Sequence, residues 1–332
     1  MANGRGRRKV YNIPAGVLLS LFLFGCGSGQ KITVIKLGHG LDPSHPVHRA
    51  MEYMAQRVAE KSNGRMRIDI YPSEQLGSER ECLELLQIGS LDMTKVSCSV
   101  LEGFVPAMSV MSLPYIFRDE EHKFRVLEGD IGKTLLLEGE KFWLRGLCYY
   151  DAGSRSFYTK ERPILVPEDL AGLKIRTQES PTSIRMVQAL GGSPTPIAWG
   201  ELYSALQQGV VDGAENNPPS FHLSRHYEVC RFYSLDEHTG VPDVLLICTK
   251  SWRDLSEESR TILQESAEES AQLQKELWKE ATQTALESVQ KAGVEIHYPD
   301  KDAFIKKIQS VYEQLKTQPE IFTIFQQIRA VK

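Results

Sequence analysis

"RMRIDIYPSEQLGSERECLELLQIGSLDMTKVS", Arg65–Ser97, is the stretch whose reading decides the fold. "RMRIDIYP" reads as a strand and "SERECLELLQIGS" as a helix. Ser78 can cap that helix, and Glu81 three residues on completes the pattern of a reciprocal capping box. "LDMTKVS" is the next strand. Working upstream, "KITVIKLGH" is an earlier strand, its apolar residues β-branched or Leu and a glycine closing it. "PVHRAMEYMAQRVAEKSNG" is the helix between, with Pro46 near its first turn and Gly64 just past its end. Strand, helix, strand, helix, strand implies a parallel or mostly parallel sheet with helices on its faces. Helical stretches at Glu120–Leu127 and Ile131–Trp143 complete a first lobe.

A second series begins downstream. "LRGLCYYDAGSRSFYTK" reads as one long strand or a strand pair, bent at Gly153. "GLKIRTQ" holds a short strand, and "SPTSIRMVQALGG" is a helix capped by Ser180, begun by Pro181 and stopped by Gly191. "SPTPIAW" is extended, "GELYSALQQG" helical, and "VVDGAEN" and "PDVLLICTK" are strands. No Gly or Pro occurs from Asp243 to Ala292. Across that span Ile262, Leu263, Ala267, Ala271, Leu277, Trp278, Ala281, Ala285 and Val289 keep near-helical spacing, so Glu257–Lys291 is expected to be one helix of about 50 Å. A coiled coil is the alternative, but the apolar positions hold no strict heptad. Two α/β lobes and a bracing helix of that length suggest a hinged cleft, where small ligands bind.

The chain of 332 residues is 41% hydrophobic and 25% charged, the balance of a soluble globular protein of two ordinary domains. Its first 30 residues stand apart. Arg5, Arg7, Arg8 and Lys9 precede the apolar "VLLSLFLFG", Val17–Gly25, which falls short of the about 20 residues that span a bilayer and reads as an export signal. "LFGC" resembles a bacterial lipobox, which would make Cys26 a lipidated residue; a plain signal peptide is the competing reading. Removing residues 1–25 leaves 35 basic against 43 acidic residues, a formal −8, and no basic stripe. A nucleic-acid partner is therefore not expected. Five cysteines follow Cys26, an odd number without CxxC spacing. An exported protein can form a disulfide, but buried free thiols are the expectation for several of them.

The chain lacks a phosphate-binding GxxxxGK[ST] loop, a GxSxG elbow and an HExxH zinc motif, so no cofactor is expected. His222 and His226 are spaced as metal ligands can be, with Glu228 nearby. No third ligand is fixed, and a solvated helix face explains them more simply. His39 sits where the first strand ends, at the cleft-facing edge of an α/β sheet. Arg155 follows "DAGS" where the chain leaves the first lobe, and Arg176 sits in the apolar "GLKIR" strand. Each could present the planar fork that holds a carboxylate through two parallel hydrogen bonds; a structural salt bridge is the competing reading.

"YPSEQLGSERECLELLQIGSLDM", "PEDLAGLKIRT", "ALGGSPTPIAWGELYSALQQGVVDGAEN" and "HYEVCRFYSL" resemble the solute-binding subunits of TRAP (tripartite ATP-independent periplasmic) transporters, the DctP-like family. The resemblance runs from about Lys31 to about Leu315. It implies a two-lobed α/β periplasmic binding fold, type II-like, with mixed sheets and a long helix spanning both lobes. Residues 31–152 with about 242–281 would form lobe I, and 153–241 with about 282–332 lobe II. By the same resemblance Arg176 pairs with the ligand carboxylate and Arg155 supports it. Asn216 joins the clamp, Trp199 lines the pocket, and Glu79 and Ser97 lie near ligand hydroxyls. His39 and Gly40 match small pocket residues only loosely.

Sialic-acid members carry one Asn directly before Pro. Here Asn217 intervenes, and "ENNPPSF" with "LDEHTGVPDVLL" is closer to uronate-binding members, which adds Glu237 and His238 to the pocket candidates. The expectation is a monomeric periplasmic binding protein that captures a hexuronate, closes about Tyr150–Gly153 and Val241–Val244, and delivers the ligand to an ion-gradient-driven permease. Membrane contact would come only through a lipid on Cys26. Capture of a C4-dicarboxylate, aldonate or keto acid, or ligand presentation to a sensor receptor, are the alternatives. An enzyme would need a nucleophile or metal that the motifs do not supply.

Overall fold

The computed structural model describes residues 1–4 and 32–332; the stretch expected to be an export signal and Cys26 lie outside them. Eleven strands form there: β1 (Thr33–Gly38), β2 (Met66–Tyr71), β3 (Met93–Ser97), β4 (Leu144–Tyr150), β5 (Arg155–Thr159), β6 (Lys174–Thr177), β7 (Ser193–Pro196), β8 (Gly213–Asn216), β9 (Phe232–Thr239), β10 (Asp243–Cys248) and β11 (Glu295–His297). They sort into two mixed sheets, β2-β1-β3-β10-β4 and β11-β9-β5-β8-β6-β7. The parallel β2-β1-β3 core is the βαβαβ unit read from Lys31–Ser97, and β10 enters it antiparallel. Each sheet is the heart of one lobe.

Local signals account for most elements. Ser78 accepts from the Glu81 N–H while the Glu81 carboxylate takes the Ser78 N–H, so the capping box forms and starts helix Glu79–Gln87. Ser180 caps helix Pro181–Leu190, and Gly191 ends it at φ 100°. "LRGLCYYDAGSRSFYTK" is the strand pair: β4 belongs to the first sheet and β5 to the second. Between them Gly153 adopts φ 60°, and a side-chain carbon there would lie 2.8 Å from the Trp278 indole nitrogen. Only glycine meets both demands.

The helix Glu257–Lys291 forms unbroken over 35 residues. It packs on helix Pro46–Lys61 and β4 in the first lobe and on helix Pro218–Leu223 in the second. Its buried face is not wholly apolar. Gln274 gives its side-chain N–H to the Asp151 carbonyl at 2.8 Å and accepts the Asp151 N–H at 2.7 Å, pinning the crossing strand to the helix. Ser270 bonds the Tyr150 hydroxyl just before it. The chain returns to the first lobe through Gly240–Pro242, between β9 and β10. Strand β9 carries no apolar alternation, because Ser234, Asp236 and His238 all turn inward and are buried. The last helix, Pro319–Ala330, packs against first-lobe elements.

Candidate ligand-binding cleft

A cleft opens between the sheets, lined mostly by strand ends and the loops that follow them, with helix residues such as Glu79, Ser220 and Trp278 completing it. That is where open α/β sheets bind ligands. Arg176 lies on β6 and is only 2% exposed. Its Nε donates to the Ile197 carbonyl at 2.8 Å, which fixes the guanidinium plane. Nη1 is buried without a hydrogen-bond partner. Burial pulls the Arg176 pKa below its ordinary value, yet arginine stays charged. Burying a cation without a contacting carboxylate is costly, so the site favours an anion beside it.

Arg155 differs. It also lines the cleft, but its guanidinium forms a two-bond ion pair with Glu215, Nη2 to Oε1 at 2.8 Å. Glu215 is buried; its desolvation is overcome by Arg155 and His238, and its pKa falls to about 2. His238 sits behind it, with Nδ1 2.8 Å from Asp236 and Nε2 3.4 Å from Glu215. Burial opposes the imidazolium, but the two carboxylates win and raise its pKa to about 9. Asp236, His238, Glu215 and Arg155 thus form a neutral array of alternating charge. It ends at Asn216, whose Oδ1 accepts from Arg155 Nη1 at 2.8 Å and from the Asn217 N–H at 2.9 Å. With the carbonyl so occupied, the Asn216 amide is oriented with its NH2 free to donate. Asn217 caps helix Pro218–Leu223 through Ser220 and also lines the cleft.

The first lobe supplies a second polar group. Lys95 is buried between Glu79 at 2.8 Å and Asp243 at 3.1 Å. Burial disfavours its ammonium, but the two carboxylates push its pKa up. The trio carries a net −1 when both acids are ionised. Glu79 also accepts the Ser97 N–H, and Ser97 Oγ donates to Gln178 across the cleft at 3.3 Å. Trp199 forms a half-buried wall of the same cleft.

Two expected residues fall elsewhere. His39 does not line the cleft: its Nδ1 accepts the Leu41 N–H and its Nε2 meets His48 at 2.9 Å, so the loop turns the ring into a histidine pair. His45 lines the cleft instead. Its Nδ1 accepts the Val47 N–H, leaving the proton on Nε2, 3.5 Å from Ser220 Oγ of the other lobe. Burial lowers its pKa to about 3. Glu237 is turned out of the cleft. The β5–β9 pairing shifts register between Arg155 and Phe157, Glu237 sits in the irregular stretch at φ 48°, and its carboxylate pairs with Lys301 on an outer groove.

His226 is not on a solvated face. It is buried and bonded to the Tyr158 hydroxyl at 2.8 Å, and burial lowers its pKa to about 3. Among the described residues no group of three His, Cys, Asp or Glu side chains could hold a metal. Cys82, Cys98, Cys148, Cys230 and Cys248 are buried free thiols. Lys95, Asp243, His45 and Gln178 were not expected in the cleft. A lysine inside a strand and an acid heading the apolar "DVLLIC" were the available signals for the first two.

The family model for bacterial extracellular solute-binding protein, family 7 (DctP), matches residues 37–318. A solute-binding protein of Chromohalobacter salexigens is 37% identical over 289 residues, 86% of either chain. Among solved structures, a TRAP periplasmic solute-binding protein from Xanthobacter autotrophicus with bound β-D-galacturonate superposes with a TM-score of 0.87 at 36% identity, covering 90% of this chain and 100% of its own. One from Chromohalobacter salexigens with bound D-glucuronate gives 0.88 at 36% identity, covering 90% and 100%.

Proposed function

This chain belongs to the DctP family of bacterial extracellular solute-binding proteins, and we propose that it captures a hexuronate such as D-glucuronate or D-galacturonate and delivers it to an ion-gradient-driven membrane permease. The observation that carries the reading is Arg176: a buried guanidinium, fixed through Nε, with an unpartnered nitrogen in the cleft. A ligand carboxylate completes it through a charge-assisted, two-bond pair. Asn216 donates to the same carboxylate, and Arg155 orients Asn216 while its own charge is matched by Glu215. Glu79, Ser97 and Asn217 face ligand hydroxyls, and Trp199 covers the apolar side of the ring. His39 and Glu237 have no place in this scheme.

Charge favours a monocarboxylate over a C4-dicarboxylate. One cation is unmatched in the second lobe, whereas Lys95 in the lobe facing it is already paired with Glu79 and Asp243 and offers no free charge to a second carboxylate. Closure rocks the lobes about the two strand connectors, Asp151–Ser154 and Gly240–Pro242. The basic, apolar leader fits export to the periplasm, with Cys26 as the point of lipid attachment. No helix among the described residues is long and apolar enough to cross a membrane. A thermal-shift panel of uronates, aldonates, keto acids and C4-dicarboxylates tests the reading. Stabilisation by both uronates is expected; stabilisation by dicarboxylates alone overturns it.

A further inference from the structure

The loop Pro72–Gly77, which joins β2 to helix Glu79–Gln87, belongs to the first lobe; the turn Trp199–Glu201 belongs to the second. They meet at the mouth of the cleft. Ser73 and Glu74 are both left-handed, at φ 54° and 57°, which few side-chain-bearing residues adopt. Backbone bonds hold them so: the Ser73 N–H donates to the Leu41 carbonyl at 3.0 Å and the Glu74 N–H to the His39 carbonyl at 3.1 Å. The Glu74 side chain is thereby anchored to the loop that also carries Gly40 and Leu41 into the cleft. It reaches the opposite lobe, where Oε1 accepts the Gly200 N–H at 3.1 Å.

Gly200 directly follows Trp199, the cleft wall. A side-chain carbon at Gly200 would fall 2.1 Å from Glu74 Oε2 and 2.9 Å from its Cδ, and the three nearest atoms it would meet are all of Glu74. Gly40 leaves the matching notch, since a carbon there would lie 3.2 Å from Glu74 Cγ and 3.7 Å from Trp199 Cδ1. Two side-chain-free positions, one in each lobe, thus flank a single carboxylate. Burial, with Glu79, Glu81 and Glu201 nearby, raises the Glu74 pKa above its ordinary value, and the Gly200 N–H opposes that rise.

We propose that Glu74 is a positioning residue that clasps the Trp199–Gly200 segment over the closed cleft and sets how long the bound acid stays. The clasp rests on the solute-binding reading but not on which acid binds. It acts after closure, so it slows ligand release and leaves capture unchanged. In the closed form Trp199 is held against the ligand from the lobe opposite its own.

Stopped-flow kinetics test this with D-galacturonate, or with whichever acid of the panel most stabilises the wild type. Glu74→Ala is expected to raise koff about five- to tenfold, the loss of one ordinary hydrogen bond, with kon changed less than about twofold. Glu74→Gln keeps a carbonyl acceptor and stays near the wild type. Gly200→Ala raises koff when Glu74 is present and adds little to Glu74→Ala, because the atoms its methyl would strike are gone. Equal koff for wild type and Glu74→Ala overturns the proposal, as does an equal effect of Gly200→Ala in both backgrounds. Binding of an acid other than a uronate sinks the ligand identity, while the same ratios still judge the clasp.

Discussion

Replacing Arg176 by Gln removes the cleft's unmatched charge together with its guanidinium fork, and two measurements should then move in opposite directions. The ligand carboxylate loses the partner of a desolvated ion pair, which costs about 2–5 kcal/mol. At about 1.4 kcal/mol per factor of ten, Kd for D-galacturonate and D-glucuronate rises between about thirtyfold and several thousandfold. The ligand-free protein behaves otherwise. Arg176 is buried with Nη1 unsatisfied, so the empty cleft carries the desolvation of a cation that nothing in contact neutralises. Removing that charge is expected to leave the ligand-free melting temperature unchanged or higher. Arg176→Lys should resemble Gln in affinity, because an ammonium cannot hold the Ile197 carbonyl and present a fork together. Calorimetric titration supplies the affinities, and thermal unfolding without ligand supplies the stability. Unaltered affinity for both uronates, or a loss of ligand-free stability with binding retained, refutes the reasoning.

The charged array gives a pH signature. His238 rises to about 9 when folded, so its contribution is complete below its unfolded pKa, about 6.5, and fades as pH climbs through 9. The stability gap between wild type and His238→Gln should therefore shrink between about pH 6.5 and 9.5; a gap that widens over that range contradicts the imidazolium. Gly153→Ala forces a left-handed alanine against Trp278 and is expected to destabilise by about 1–3 kcal/mol in urea unfolding. A loss below about 0.5 kcal/mol would show that the crossing relaxes freely.

What the sequence discloses here depends on distance along the chain. The capping box at Ser78 and Glu81, the Ser180 cap and the long helix are local, and all were legible. Arg176 was legible as a strand-borne cation, but only the family resemblance ranked it above Arg155. Compensation is not local. Arg155 and Arg176 look alike in sequence, and only folding brings Glu215 to one of them, 60 positions away. The partners of Lys95 lie at Glu79 and Asp243, the second on a strand from the far half of the chain. β9 escaped notice because it buries Ser234, Asp236 and His238 in place of apolar residues, which erases the usual alternation. His39 and Glu237 were misplaced by finer geometry: a ring turned toward His48, and an irregular stretch that reverses one strand residue.

The two strand connectors between lobes have an evolutionary consequence. Arg155 begins the strand that emerges from one connector, and Asp243 begins the strand that emerges from the other. An insertion or backbone shift in either connector moves the flexing segment and a cleft residue together. Lineages drifting toward a new solute would therefore change their opening and closing kinetics in the same mutational step, and laboratory selection for altered substrate choice should recover variants whose transport rate shifts even where the selected substitutions never touch the bound molecule.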